Sequence, residues 1–325
     1  MKKVLLTGAN GLLGGHIARQ LLAKGYAVRA IVRPSANCQN LEGLAIEIFE
    51  GQITKEEDVF HAVKECAYII HAAAKTSQWP SDLEAYRAAN IDSTRYLIKA
   101  AREMAIQRFI FVSTAVCFQN ETEELGNEEN EIMSWLEDSG YVYSKYIAQQ
   151  EVLRAARRGK LPAIVVSPAF IIGSHDSRRL KDSLLGYSKK RWAFLPSGGK
   201  SFIDAGHAAE AIVNALTRGK VGESYLLSGE NLSYQAFFSQ LDEGNRQVRM
   251  TVPDWLLIGL GKVNSFMEAK WGMTPRLSEV NARMLCLDNY FSNRKAQQEL
   301  GLRPTVARDS AKAALTWFHD REKRT

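Results

Sequence analysis

Cysteine is scarce in this chain of 325 residues: Cys38, Cys66, Cys117 and Cys286 are the only four, and they show no paired or metal-like spacing. That pattern excludes a disulfide scaffold, gives no reason to expect a metal, and suggests reduced thiols in a cytoplasmic protein. No apolar run approaches the roughly 20 residues of a membrane span; the longest, Trp255 to Leu260, reads as a short stretch of a core helix. The first apolar stretch, Val4-Leu5-Leu6, is too short for the apolar region of a signal peptide and runs at once into a glycine turn. A net charge of +6 is modest for this length, and no basic patch interleaved with aromatics points to nucleic acid. Internal repeats, linkers and low-complexity tracts are also absent.

What is present is an ordinary globular balance, 46% apolar and 24% charged, in a chain longer than one typical domain. Its organising stretch is the first fourteen residues. Val4-Leu5-Leu6 reads as a strand, Thr7-Gly8-Ala9-Asn10-Gly11-Leu12-Leu13-Gly14 follows, and His16 to Lys24 continues with helical spacing. Each glycine has a separate task in a dinucleotide turn. Gly8 lets the backbone leave the strand sharply, Gly11 removes a side chain where a pyrophosphate approaches, and Gly14 lets the helix pack on the strand. The free N–H groups and positive dipole end of the helix then face the phosphates. Asn10, Leu12 and Leu13, between the glycines, are expected to touch the cofactor as well.

Further along, Ala27 to Arg33 reads as a second strand, and its end bears on the choice of cofactor. An acid there would accept hydrogen bonds from the adenosine ribose and repel a 2′-phosphate, whereas an arginine attracts one. Arg33, with Ser35 close behind, favours NADP over NAD; the plainer reading is a solvated strand-end arginine. Ala45 to Phe49 is a third strand and Glu56 to Cys66 a helix. A fourth strand, Ala67 to Ile70, ends in His71-Ala72-Ala73-Ala74, where small side chains let a cofactor pass close to the backbone. His71 reads as a satisfied core histidine. The spacing predicts a long helix over Leu83 to Glu103, and Asn90 inside it, unfavourable by propensity, implies a buried hydrogen-bonding task. A fifth strand, Phe109 to Val112, brings Ser113-Thr114-Ala115 to the carboxyl edge of the sheet, where open parallel sheets bind ligands.

The decisive stretch is Gly140-Tyr141-Val142-Tyr143-Ser144-Lys145, opening a helix through Arg154. Tyr141 and Lys145, four apart, share one helical face, so the ammonium can sit beside the phenol. Tyr143 lacks such a partner, because Ile147 lies four beyond it.

In this order, glycine turn, Arg33, alanine-rich strand end, Asn90, Ser-Thr strand end and Tyr-x-x-x-Lys, the chain resembles the extended short-chain dehydrogenase/reductase family over roughly its first 175 residues. Ser167-Pro168-Ala169-Phe170-Ile171-Ile172-Gly173 extends the likeness. The resemblance implies a Rossmann-type doubly wound parallel α/β sheet over residues 1–173. It implies a smaller C-terminal α/β region over 174–325 that mainly binds substrate, with some segments returning to the first domain. It places the catalytic group on Thr114, Tyr141 and Lys145. It assigns the cofactor also to Gln52 and Ile53 against the adenine, to Ala72, Ala73 and Ala74, and to Pro168 and Ile171 near the nicotinamide. Gln52 departs from the family's usual aspartate, though its amide can both donate to and accept from an adenine edge.

The implied chemistry is hydride transfer between NADP, or NAD, and a small carbonyl or alcohol substrate, as in dihydroflavonol reductases and hydroxysteroid dehydrogenases. Thr114 would bond the substrate oxygen and Lys145 would favour the phenolate of Tyr141 and hold the nicotinamide ribose. Trp79, Phe118 and Phe170 are the apolar substrate candidates, and a homodimer is left open. The alternatives are a nucleotide-sugar epimerase of the same family and a non-enzymatic NADP-binding sensor. A sugar dehydratase fits less well, since Ala115 and Val116 stand where it needs acids. From Glu121 to Asp138 the chain carries eight acidic residues and no basic one, reading as a solvated loop near the substrate entrance. Arg178, Arg179, Lys181, Lys189, Lys190 and Arg191 form an opposing basic cluster.

Overall fold

The structure, a computed structural model, describes every residue except 120–123, 177–179, 181–182, 190–191, 243–247, 273–276 and Thr325. In chain order its first half contains β1 (Lys3–Thr7), α1 (Leu12–Ala23), β2 (Ala27–Val32), β3 (Glu47–Glu50), α2 (Glu56–Val63), β4 (Tyr68–His71), α3 (Glu84–Tyr86), α4 (Ser93–Glu103), β5 (Arg108–Val112) and α5 (Gly140–Arg157). There follow β6 (Ala163–Pro168), β7 (Phe170–Ile172), β8 (Trp192–Leu195), β9 (Gly199–Asp204), α6 (Ala205–Asn214), β10 (Ser224–Leu227), β11 (Glu230–Ser233) and α7 (Tyr234–Ser239). The chain closes with β12 (Val248–Thr251), α8 (Asp254–Trp271), α9 (Glu279–Cys286), β13 (Asp288–Asn289), α10 (Arg294–Leu300) and α11 (Ala307–Arg324).

A seven-stranded sheet in the order β10-β6-β5-β4-β1-β2-β3 forms the centre, with every neighbouring pair parallel. Its inner strands are near-continuous apolar runs because helices cover both faces. Alternation then sends successive side chains to opposite layers. Val4 and Leu6 join α1, α6 and α10 on one face, while Leu5 packs with α2, α4 and α5 on the other. This is the expected doubly wound Rossmann-type arrangement. After β1 the chain steps out through β2 and β3, then crosses back to place β4 on the other side of β1. That reversal opens a crevice at the carboxyl ends of β1 and β4, where such folds bind ligands.

From the second half of the chain, β10 joins this large sheet beside β6, and α6 packs in the same core as α1. The later layer is built around β9, which pairs antiparallel with β11 and parallel with β13 and β7. A separate ribbon joins β8 to β12. Leu180, Leu195, Phe202, Tyr234, Phe237 and Phe318 fill the core under this layer.

The helix expected over Leu83 to Glu103 is interrupted by a π-helical stretch, Arg87–Asp92. Two hydroxyls bond back to carbonyls four residues earlier, Ser93 Oγ to Ala89 O and Thr94 Oγ1 to Asn90 O, each at 2.7 Å. Such back-bonding competes with regular helical geometry, and π-bulges are frequent at functional sites.

Candidate active site

A cleft of about 1170 Å³ runs over the carboxyl ends of the large sheet and under the β9 layer. Its walls include Gly8, Asn10, Gly11, Leu12, Leu13 and Gly14 from the glycine turn, and Arg33, Gln52 and Ile53 from the ends of β2 and β3. Ala72, Ala73 and Ala74 follow β4, Thr114 follows β5, Tyr141 and Lys145 come from α5, and Pro168, Phe170 and Ile171 from β6 and β7. Residues separated by up to 163 positions thus meet in one cavity. Trp79 and Phe118 do not line it. Phe118 is buried in a cluster with Leu136, Val142 and Phe291, so the expectation that these two rings face the cleft is corrected; only Phe170 of the three does.

The glycine turn has the shape a dinucleotide needs. At Gly8, φ is +73° and a Cβ would lie 2.7 Å from the Ala73 nitrogen, so both the turn and the approach of β4 demand glycine. A Cβ at Gly14 would come within 2.0 Å of Gly8 O, which allows α1 to pack onto the turn. At Gly11 the nearest neighbour would be Gly8 O at 3.4 Å, leaving its outer side open to the cleft. The start of α1 has no side-chain cap and no acid in its first turn. Its first N–H groups are thereby left to an anion from outside, which fits a pyrophosphate.

Behind the cleft runs a buried chain of hydrogen bonds. Thr94 gives its hydroxyl proton to Asn90 O, so His71 Nε2 donates to Thr94 Oγ1 at 3.1 Å. His71 Nδ1 then accepts from Thr7 Oγ1 at 2.7 Å, and Thr7 Oγ1 accepts from Ala73 N at 3.0 Å. Burial, with Lys145 adding to it, lowers the His71 pKa to about 3 and keeps the ring neutral. The histidine ties β1, β4 and α4 together.

Asn90 meets its expected task. Its Oδ1 accepts from Lys75 N at 2.7 Å, and its Nδ2 donates to Lys75 O at 3.1 Å and to Ser144 Oγ at 2.8 Å.

At the centre, Tyr141 is half-buried, with the Thr114 hydroxyl beside its phenol. Burial, with Cys117 beside it, pushes the phenol well above its usual value, against the smaller lowering from Thr114. Lys145 Nζ donates to Val112 O at 2.6 Å and lies 4.2 Å from the Phe111 ring centre. Burial brings its pKa down to about 7. The expected pull of the lysine on the phenol is not among the causes acting on Tyr141 here. With the ammonium engaged by Val112 O, the phenol stands protonated at neutral pH, ready to donate.

Several cleft residues escaped the sequence reading. Lys200, on β9, faces Phe170 with Nζ 6.0 Å from the ring centre, and burial lowers its pKa to about 8. Leu277, Asn281, Met284 and Leu285, around α9, complete the opposite wall. A lone lysine in an unremarked strand and an ordinary amphipathic helix carry no local signal for such a role.

The acidic stretch is more than a solvated loop where it is described. Gly126 bonds Tyr290 O and Ser292 N, each at 2.9 Å, and Glu128 Oε1 accepts from Leu226 N at 2.8 Å. Glu121 and Glu123 lie outside the described residues, as do Arg178, Arg179, Lys181, Lys190 and Arg191 and the side chain of Lys189.

Comparison with known proteins agrees with this geometry. Residues 4–228 match the family model described as NAD dependent epimerase/dehydratase family. A Synechocystis sp. protein named as a dihydroflavonol 4-reductase is 29% identical over 325 residues, covering 97% of this chain and 94% of its own. The 4-hydroxy-2-methyl-3-oxo-4-farnesyl-3,4-dihydroquinoline-1-oxide ketoreductase of Stigmatella aurantiaca is 31% identical over 245 residues, 74% of this chain and 72% of its own. The crystal structure of gox2253 superposes with a TM-score of 0.83 at 28% identity, covering 99% of each chain. The glycine turn and the Tyr141–Lys145 helix lie inside the matched residues, and the chain belongs to the NAD-dependent epimerase/dehydratase family, within the extended short-chain dehydrogenase/reductase fold.

Proposed function

We propose that the protein is an NADP-dependent oxidoreductase that interconverts a ketone and a secondary alcohol, with Tyr141 as general acid and base. The observation that carries this reading is the protonated, desolvated phenol of Tyr141 beside Thr114 on the wall of a cleft that also holds the glycine turn. Both relatives bear reductase names, and the second is named for a ketone.

The bound nicotinamide supplies or takes up the hydride. In the reducing direction Thr114 and Tyr141 hold the carbonyl oxygen, and Tyr141 delivers its proton as negative charge develops there. Lys145, one turn along α5, is the cation that would stabilise the phenolate left behind, for which its ammonium must turn from Val112 O toward Tyr141. In the oxidising direction the phenolate receives the alcohol proton. Arg33, exposed at the cleft edge, holds the 2′-phosphate through a charge-assisted bond.

In this reading residues 1–173 hold the cofactor and 174–325 supply most of the substrate wall. Phe170, Leu277, Met284 and Leu285 make that wall largely apolar, and Lys200 gives it one cation. The substrate is accordingly a lipophilic carbonyl compound with no more than one negative charge.

The direct test replaces Tyr141 by Phe, which removes the exchangeable proton and keeps the ring. Turnover should fall by about 10² to 10⁴ while NADPH binding survives. Near-native turnover in Tyr141→Phe would move the acid elsewhere, with Tyr143 examined first.

A further inference from the structure

Among the described residues, the densest group of exposed large apolar side chains lies away from the cleft, on α8 and the ribbon that feeds it. Trp255 is 74% exposed, Trp271 59%, Val263 and Phe266 57% each, and Leu260 50%. Just before the helix, Met250 and Phe194 stand opposite each other across the β12–β8 pair and are 52% and 65% exposed. Gly261 is the only buried residue of α8.

A surface helix in water ordinarily sets a charged face against its apolar one, and α8 does not. It has four charged residues in eighteen. Its two acids are engaged with the protein: Asp254 accepts from Ser197 Oγ at 2.5 Å, and Glu268 accepts from Ser81 N and Oγ at 3.1 and 3.3 Å. Its two lysines, Lys262 and Lys270, are exposed. Lys270 Nζ lies 5.4 Å from the Phe266 ring centre and 5.2 Å from that of Trp271. On α9, the helix packed against α8, Glu279 and Arg283 pair with each other at 2.7 Å. The free charge on the outer face of α8 is therefore positive.

We propose that this face docks on an anionic lipid bilayer, with α8 lying in the interface rather than crossing it. Trp at both ends of the helix, aliphatic side chains between them and Lys270 folded along two aromatic rings form the composition that the headgroup boundary favours. Lysines near an anionic surface are drawn to it by its negative potential. No described helix is long and apolar enough to cross a membrane, which leaves the interfacial position. A second copy of the chain, the rival occupant, offers no such charge match, since it would bring the same two lysines to the contact.

The docked face lies one helix away from the cleft. A Cβ on Gly261 would lie 2.8 Å from Ala282 Cβ and 2.9 Å from Glu279 Cα, so α8 presses directly on α9. The other side of α9 presents Asn281 and Met284 to the cleft. Bilayer and cleft are thus separated by one helix, a placement suited to ligands dissolved in lipid.

The test is flotation of the full-length protein with vesicles of equal parts phosphatidylcholine and phosphatidylglycerol, beside pure phosphatidylcholine vesicles. The native protein should float with the anionic vesicles and be released by high salt. A Trp255→Ser, Phe266→Ser, Trp271→Ser triple variant should stay at the bottom, and Lys262→Glu with Lys270→Glu should bind about tenfold more weakly or worse. Both should keep native melting temperature and NADPH binding, which a fold defect would not. The proposal is overturned if the native protein does not float, if these variants float as it does, or if sedimentation shows a native dimer that the triple variant dissociates.

Discussion

Asn90 is hydrogen-bonded to Ser144 at 2.8 Å, and Ser144 in turn donates to Tyr141 O at 2.7 Å, so the π-turn after α3 sets the position of the first turn of α5. Ser144 stands between Tyr141 and Lys145 on that helix. Replacing Asn90 by Ala removes three side-chain bonds, taking the donor from Ser144 Oγ and both partners from the Lys75 backbone. At about 1 kcal/mol for each bond, the variant should lose about 3 kcal/mol of stability. Turnover should fall more than NADPH affinity, because the phenol is misplaced while the glycine turn is untouched. Denaturant melts and steady-state kinetics on the same preparation check both; unchanged turnover would detach Asn90 from the site.

Arg33 is predicted to set the cofactor preference. NADPH should bind more tightly than NADH, and Arg33→Ala should weaken NADPH by about 1.5–3 kcal/mol, leaving NADH nearly unaffected. Fluorescence titration of both cofactors decides it. Equal affinities in the native protein would make Arg33 an ordinary strand-end residue.

Much of this was legible in the sequence because its signals are local. The glycine spacing, the Tyr141–Lys145 repeat and a helical asparagine at position 90 each declare a backbone or hydrogen-bonding need within a few residues. The parallel sheet was implied by the family resemblance that these motifs, taken in order, carry. The far wall of the cleft was not legible, because Lys200, Asn281 and Met284 acquire their place only when β9 inserts between β11 and β13 and α9 folds over the sheet edge. Phe118 misled for the complementary reason: an aromatic near a catalytic strand end can face the core as readily as the cavity. The state of Tyr141 also depends on burial and on Val112 O capturing Lys145, neither of which spacing reveals.

His71 should make the fold acid-sensitive. Its folded pKa is lowered from 6.5 to about 3, so between those values the unfolded chain binds a proton that the native state refuses. Stability from this residue is complete above pH 6.5 and is lost as pH falls toward 3, at about 1.4 kcal/mol per unit. Between about pH 7 and pH 5 the native protein should lose about 2 kcal/mol more than a His71→Asn variant. Parallel losses in urea melts would assign the sensitivity to other groups.

Lys200 predicts a charge preference in the substrate. A ketone bearing one carboxylate should show a higher kcat/KM than its methyl ester, and Lys200→Met should erase the difference. Persistence of the preference in that variant would remove Lys200 from substrate recognition.

The central claim, net hydride transfer to a carbonyl substrate, is tested most directly by following NADPH absorbance across a panel of lipophilic aromatic and aliphatic ketones, with UDP-sugars as the competing class. The account predicts stoichiometric NADPH consumption with one or more ketones, loss of that consumption in Tyr141→Phe, and no binding of UDP-sugars. Epimerised UDP-sugar formed with no net change in NADPH or NADP would contradict it.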